Sequence, residues 1–130
     1  MKVGCLHALG PLAFALVTPV GAAQADAWTN GVSMPTARVC AAAGAIGSKI
    51  YVVGGMTAGG VVSTNEVYNT KTSTWKTRAP MPTARWCMAS AVVNGILYVI
   101  GGRTDSPTGQ LNVVEAYNPA TNSWTTKSPP

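Results

Sequence analysis

The sequence predicts an all-β fold built from one four-stranded antiparallel unit written twice. Three observations predict it. Met34-Pro35-Thr36-Ala37-Arg38 recurs letter for letter as Met81-Pro82-Thr83-Ala84-Arg85, an offset of 47 residues. The same offset carries Trp28 onto Trp75, Cys40 onto Cys87, Tyr51 onto Tyr98 and Gly54-Gly55 onto Gly101-Gly102. No segment shows a helical period, while short β-branched and aromatic runs are punctuated by Gly, Asn and Pro. A period of this length marks a copied supersecondary unit whose apolar face only a neighbouring unit can cover.

The elements follow in chain order. Residues 1–25 are predicted to be a secretory signal peptide. Lys2 gives a positive start, Leu6 to Val17 is mostly apolar, and Ala23-Gln24-Ala25 supplies a small-residue cleavage site. The apolar run contains Pro11 and falls short of the roughly 20 residues that span a bilayer. Residues 26–37 hold Ala27-Trp28-Thr29, which aligns with Thr74-Trp75-Lys76 and is expected as an orphan fourth strand, then a loop.

The first full unit is 38–77. Its strands are expected at 38–46, 49–53, 65–68 and 74–76, with Gly47-Ser48 as a turn and Met56 to Thr64 as a loop. Residues 78–84 link the units. The second unit, 85–127, begins with an apolar strand over 85–93, and Asn94-Gly95 follows as a strong short-hairpin signal. Strands 96–100, 112–117 and 123–126 complete it. Arg103 to Gln110 is a polar loop, and Asn118 to Asn122 is a turn in which Asn bonds its own backbone and Pro119 presets φ. A repeated unit of four short antiparallel strands is a propeller blade, so the fold is a partial β-propeller.

Composition narrows the function. The net charge of +5 falls to +4 once Lys2 leaves with the signal peptide, and the basic residues are scattered without a run. That argues against nucleic acid and against a polybasic membrane contact. His7, the sole histidine, leaves with the signal, as does Cys5, so residues 26–130 keep two cysteines and no histidine. No metal site or histidine general base is expected. Asp26 and Asp105 are too far apart in the chain to read as an acid–base pair.

The marks Gly54-Gly55, Tyr68 and Trp75, repeated as Gly101-Gly102, Tyr117 and Trp124, with Met-Pro-x-x-Arg ahead of each first strand, resemble kelch repeats. The resemblance runs from Trp28 to Trp124. The paired glycines allow φ > 0 and close backbone approach. Tyr and Trp supply apolar area between blades. Glu66 and Glu115, two residues before each Tyr, read as structural hydrogen-bonding groups, because a catalytic residue is rarely duplicated in every repeat. The family usually has Asp after the Tyr, whereas this chain has Asn69 and Asn118, which can make the same side-chain turn.

The resemblance implies that the loops before the first strand and after the second share one face, through which family members bind proteins or glycans. Arg38, Arg85, Arg103 and Asp105 are the polar candidates there. Arg38 and Arg85 are repeated and so suit a structural role; Arg103 and Asp105 are not, since the first copy has Met56 and Ala58. Cys40 and Cys87, expected on the innermost strands, form either a disulfide or a pair of small buried thiols. The second is preferred, because a bridge needs Cα atoms within about 7 Å. Some secreted relatives are copper-radical oxidases or sugar-processing enzymes, but a copper site of that kind needs histidines.

The expectation is therefore a secreted or periplasmic binding or structural module without cofactor or catalysis. The alternative is a fragment or subunit of a secreted sugar-processing propeller enzyme, oxidase- or epimerase-like. Propellers close with about four to eight blades. The chain is thus expected to be a truncated product of a longer propeller or a subunit that completes a ring with other copies of itself.

Overall fold

The computed structural model describes residues 27–127, so the predicted signal peptide lies outside the described residues. Ten strands form two four-stranded antiparallel meanders and one small hairpin. The first meander contains β1 (Ala42–Ile46), β2 (Lys49–Val53), β5 (Asn65–Asn69) and β6 (Thr74–Arg78) in that spatial order. The second contains β7 (Ala89–Val93), β8 (Ile96–Ile100), β9 (Val114–Asn118) and β10 (Ser123–Lys127).

The turns have the expected chemistry. Asn94 and Gly95 both take positive φ (50° and 75°), as a type I′ hairpin turn requires. Asn69 Oδ1 accepts from Lys71 N and Asn118 Oδ1 from Ala120 N, each at 3.0 Å, so the two asparagines make their side-chain turns. Gly54 and Gly55 have φ of 62° and 106°, and a Cβ there would fall 2.7 Å from Arg85 O and 2.8 Å from Val39 O. Only glycine meets both demands.

Three expectations need correction. The first strands of both blades begin at Ala42 and Ala89, four residues later than expected, because Cys40 and Cys87 have φ of 51° and 53° and break the extended backbone. The loop Met56 to Thr64 is not irregular throughout: β3 (Met56–Thr57) pairs with β4 (Gly60–Val61). The orphan strand at Ala27-Trp28-Thr29 does not form; the segment carries no strand pairing and Trp28 is fully exposed. A strand is defined by a hydrogen-bonded neighbour, and no described segment runs beside these residues. The repeat is still visible a few positions on, where Val32 O accepts from Trp75 Nε1 as Ala79 O accepts from Trp124 Nε1, both at 2.9 Å.

The core lies between the blades. Tyr51, Val53 and Val67 on one face of the first blade meet Leu97, Val99 and Tyr117 on the opposing face of the second, and all six are buried. The Tyr51 and Tyr117 rings lie 5.5 Å apart. Each such side chain contributes about 1.5–3 kcal/mol on burial. Gly44 of β1 permits the approach: a Cβ there would sit 2.6 Å from Leu97 Cδ1 and 2.8 Å from Val92 Cγ2. Polar bonds at the rim fix the junction. Ser90 Oγ donates to Ala43 O (2.8 Å), Arg78 Nε donates to the Tyr117 hydroxyl (3.3 Å), and Ala79 N donates to Asn122 Oδ1 (3.0 Å).

Candidate functional site

The segments before each first strand and after each second strand hydrogen-bond to one another and build one loop face. Val39 pairs with Met56, and Trp86 pairs with Arg103 at the equivalent place in the next blade. Gly55 N donates to Arg85 O and Met81 N to Ser63 O, both at 2.9 Å, which joins the loops of neighbouring blades.

Arg38 and Arg85 anchor this face from beneath. The Arg85 side chain is fully buried, with Nη1 2.6 Å from Glu115 Oε2 and Nη2 donating to Val99 O at 3.2 Å. Thr83 Oγ1 donates to Glu115 Oε1 at 2.8 Å. The first blade repeats the set: Arg38 Nη2 lies 3.0 Å from Glu66 Oε2 and donates to Val52 O, while Thr36 Oγ1 donates to Glu66 Oε1. Burial pulls the Arg38 pKa below its ordinary value, and the charge and hydrogen bond of Glu66 oppose that. Arg38 and Arg85 are therefore not exposed groups that could grip a ligand. They and Glu66 and Glu115 tie the Met-Pro-Thr-Ala-Arg segments to their blades. The other motif residues are equally occupied: Tyr68 stacks at 5.1 Å on Trp75, and Tyr117 at 5.0 Å on Trp124. Gly101 and Gly102 repeat the positive φ of the first pair (62° and 93°).

Arg103 and Asp105 differ from this pattern. The Arg103 guanidinium carbon sits 5.5 Å from the centroid of the Trp86 ring, a cation–π contact worth about 0.5–2 kcal/mol. Arg103 belongs to neither buried ion pair, and its Nε and the Trp86 Nε1 have no hydrogen-bond partner among the described residues. Asp105 is exposed and its Oδ2 accepts from Val61 N of the first blade at 3.4 Å. On the same face, around the Val39–Met56 bridge, is a shallow groove of about 490 Å³ lined by Ala37, Arg38, Val39, Met56, Thr57 and Ala58.

Sequence reasoning found Arg103 and Asp105 and missed Trp86. The signal was available. The bridged pair Val39–Met56 of the first copy becomes Trp86–Arg103 in the second, so two positions that touch change together from an apolar pair to an aromatic–cation pair. Cys40 and Cys87 also lie at this end of the blades. They are exposed free thiols, not buried ones, because each sits on the turn that precedes its inner strand.

The Kelch motif profile matches the chain twice, over residues 37–82 and 84–130. Among solved structures, that of YjhT is similar, with a TM-score of 0.63 and 26% sequence identity, over 75% of this chain and 28% of that one. The match thus spans well under a third of the YjhT chain. Comparison with curated proteins finds no match.

Proposed function

The chain belongs to the kelch-repeat family, and on that premise we propose that it is a secreted binding module whose loop face takes an acidic segment of a partner protein at Arg103 and Trp86. Kelch repeats build β-propeller modules that generally mediate protein binding. The observation that carries the finer reading is the Trp86–Arg103 platform: a guanidinium held over an indole, outside both buried ion pairs, on the face where the two copies diverge. Arg offers a planar fork to carboxylates, and Trp and Arg are the residue types that dominate interface energetics. Asp105 orients the loop by its bond to Val61 and repels anions that approach from its side.

Binding without catalysis is supported by how the carboxylates are used. Glu66 and Glu115 are held in ion pairs and Asp105 caps a backbone amide. The working unit contains further blades, supplied by other copies of this chain or by more of the same chain. That is supported by the open outer faces, where Ile50, Val93 and Ile100 stand exposed. Secretion to the periplasm or exterior rests on the leader sequence alone.

Titration of the full chain with an oligoglutamate peptide and with its oligoglutamine counterpart tests the reading. The acidic peptide is expected to bind and the neutral one not, with affinity falling at least about tenfold in Arg103→Ala and in Trp86→Ala. Equal binding of the two peptides, or an unaffected Arg103→Ala, sinks it. A carboxylate-bearing glycan that binds where the peptide does not would reassign the ligand to glycans.

A further inference from the structure

Cys40 and Cys87 occupy the same position of neighbouring repeats and take no part in the platform chemistry. Both are exposed and both adopt left-handed backbone, with φ of 51° and 53°. Such conformations in non-glycine residues cost free energy and aim the side chain where regular strand would not. The Cys87 amide donates to the Cys40 carbonyl at 2.9 Å. Standard backbone dimensions then keep the two Cα atoms within about 7 Å of each other, and a disulfide needs them roughly 4.4–6.8 Å apart. The neighbouring Cys40 thiol raises the Cys87 pKa, with burial and the Cys40 charge adding to the rise and Arg103 opposing it.

We propose that Cys40 and Cys87 form a reversible disulfide that staples the two blades together at their inner edge. The oxidant is a small-molecule disulfide such as oxidised glutathione. One cysteine thiolate attacks it, expels a glutathione thiol and is left as a mixed disulfide. The second cysteine thiolate then attacks the protein sulfur of that bond and expels the other glutathione. Two cysteine thiols are oxidised, one external disulfide is reduced, and the two cysteine protons end on the released thiols.

The bond would close the 47 positions from Cys40 to Cys87, removing loop freedom from the unfolded chain. It would also act on the binding face, because Cys87 directly follows Trp86, whose ring carries Arg103. Oxidation adds a covalent tie to the backbone bonds that already hold that platform in register with the first blade.

The test uses the full chain with Cys5→Ser, so that only the two blade thiols react. After incubation with oxidised glutathione, mass spectrometry is expected to show an intramolecular product about two mass units lighter, the two lost hydrogens. Peptide mapping should join the Cys40 and Cys87 peptides. The thermal midpoint should rise by roughly 10 °C and return on reduction. Adding Cys40→Ser should leave a single glutathione adduct on Cys87 and no such rise. A stable product carrying two glutathiones, or disulfide-linked dimers in place of the lighter monomer, would overturn the proposal.

Discussion

Leu97 of the second blade is 0% exposed, while Ile50, its equivalent in the first, is 38% exposed. The other face inverts the relation: Val53 of the first blade is 0% exposed and Ile100, its equivalent in the second, is 41% exposed. The two blades have nearly the same strands, register and turns, yet each buries the face that the other leaves open. A blade is amphipathic on both sides, and which side becomes core depends on which side has a neighbour. In a repeat architecture, stability is a sum over units and the interfaces between them, and the described residues contain one such interface.

The largest test of this contrast is a pair of truncations. Leu97→Ala should cost about 3 kcal/mol, read as a fall in the urea midpoint, whereas Ile50→Ala should cost less than about 1 kcal/mol, as expected for a half-exposed side chain. If the open faces are covered by other copies in solution, the Ile50→Ala cost will grow with protein concentration, and light scattering will show the wild-type assembly dissociating in Ile50→Lys. Equal costs at both positions at high dilution would erase the distinction between the faces.

A smaller effect is expected at Gly44. Its missing Cβ would press on Leu97 Cδ1 and Val92 Cγ2, so Gly44→Ala should overpack the junction by about 1–2 kcal/mol. The equivalent residue of the second blade is Ala91, which is exposed. Ala91→Gly should cost under about 1 kcal/mol, the backbone penalty alone. Partial recovery in Gly44→Ala/Leu97→Val would show that the cost is steric.

The smallest effect concerns pH. The Tyr51 pKa is raised from its ordinary 10.0, chiefly by burial and then by Tyr117, with Arg78 pulling the other way. The folded state therefore holds the phenol proton more tightly than the unfolded chain. This contribution is complete below about pH 10 and is lost as pH climbs through 10 towards the folded value. Tyr51→Phe should flatten the fall in stability between about pH 9 and 11. The comparison belongs in a Cys87→Ser background, since the raised Cys87 pKa acts in the same direction. An unchanged pH profile would mean that the Tyr51 phenol is well solvated.

The candidate site was legible only in part, for reasons visible in particular residues. Arg103 and Asp105 stood out because they break the repeat, and Glu66 and Glu115 because they obey it. Arg38 and Arg85 could not be resolved from sequence, because an arginine on a loop face and an arginine buried beneath one have the same letter; the Glu66 and Glu115 carboxylates reach them across about 30 residues of chain. Trp86 was passed over because its partner Arg103 becomes its neighbour only when β7 and β8 fold back on each other.

Periodicity and local chemistry act through near neighbours in the chain, which is why the sequence alone determined the four-stranded unit, its repetition, the Asn94-Gly95 turn and the glycine pairs. The tertiary structure decided what depends on distant segments. Cys40 and Cys87 became an exposed facing pair, Trp28 was left without a strand to join, and burial fell on opposite faces of two similar blades. Burial and pairing are properties of contacts, and two copies of one sequence differ wherever only one of them has a neighbour.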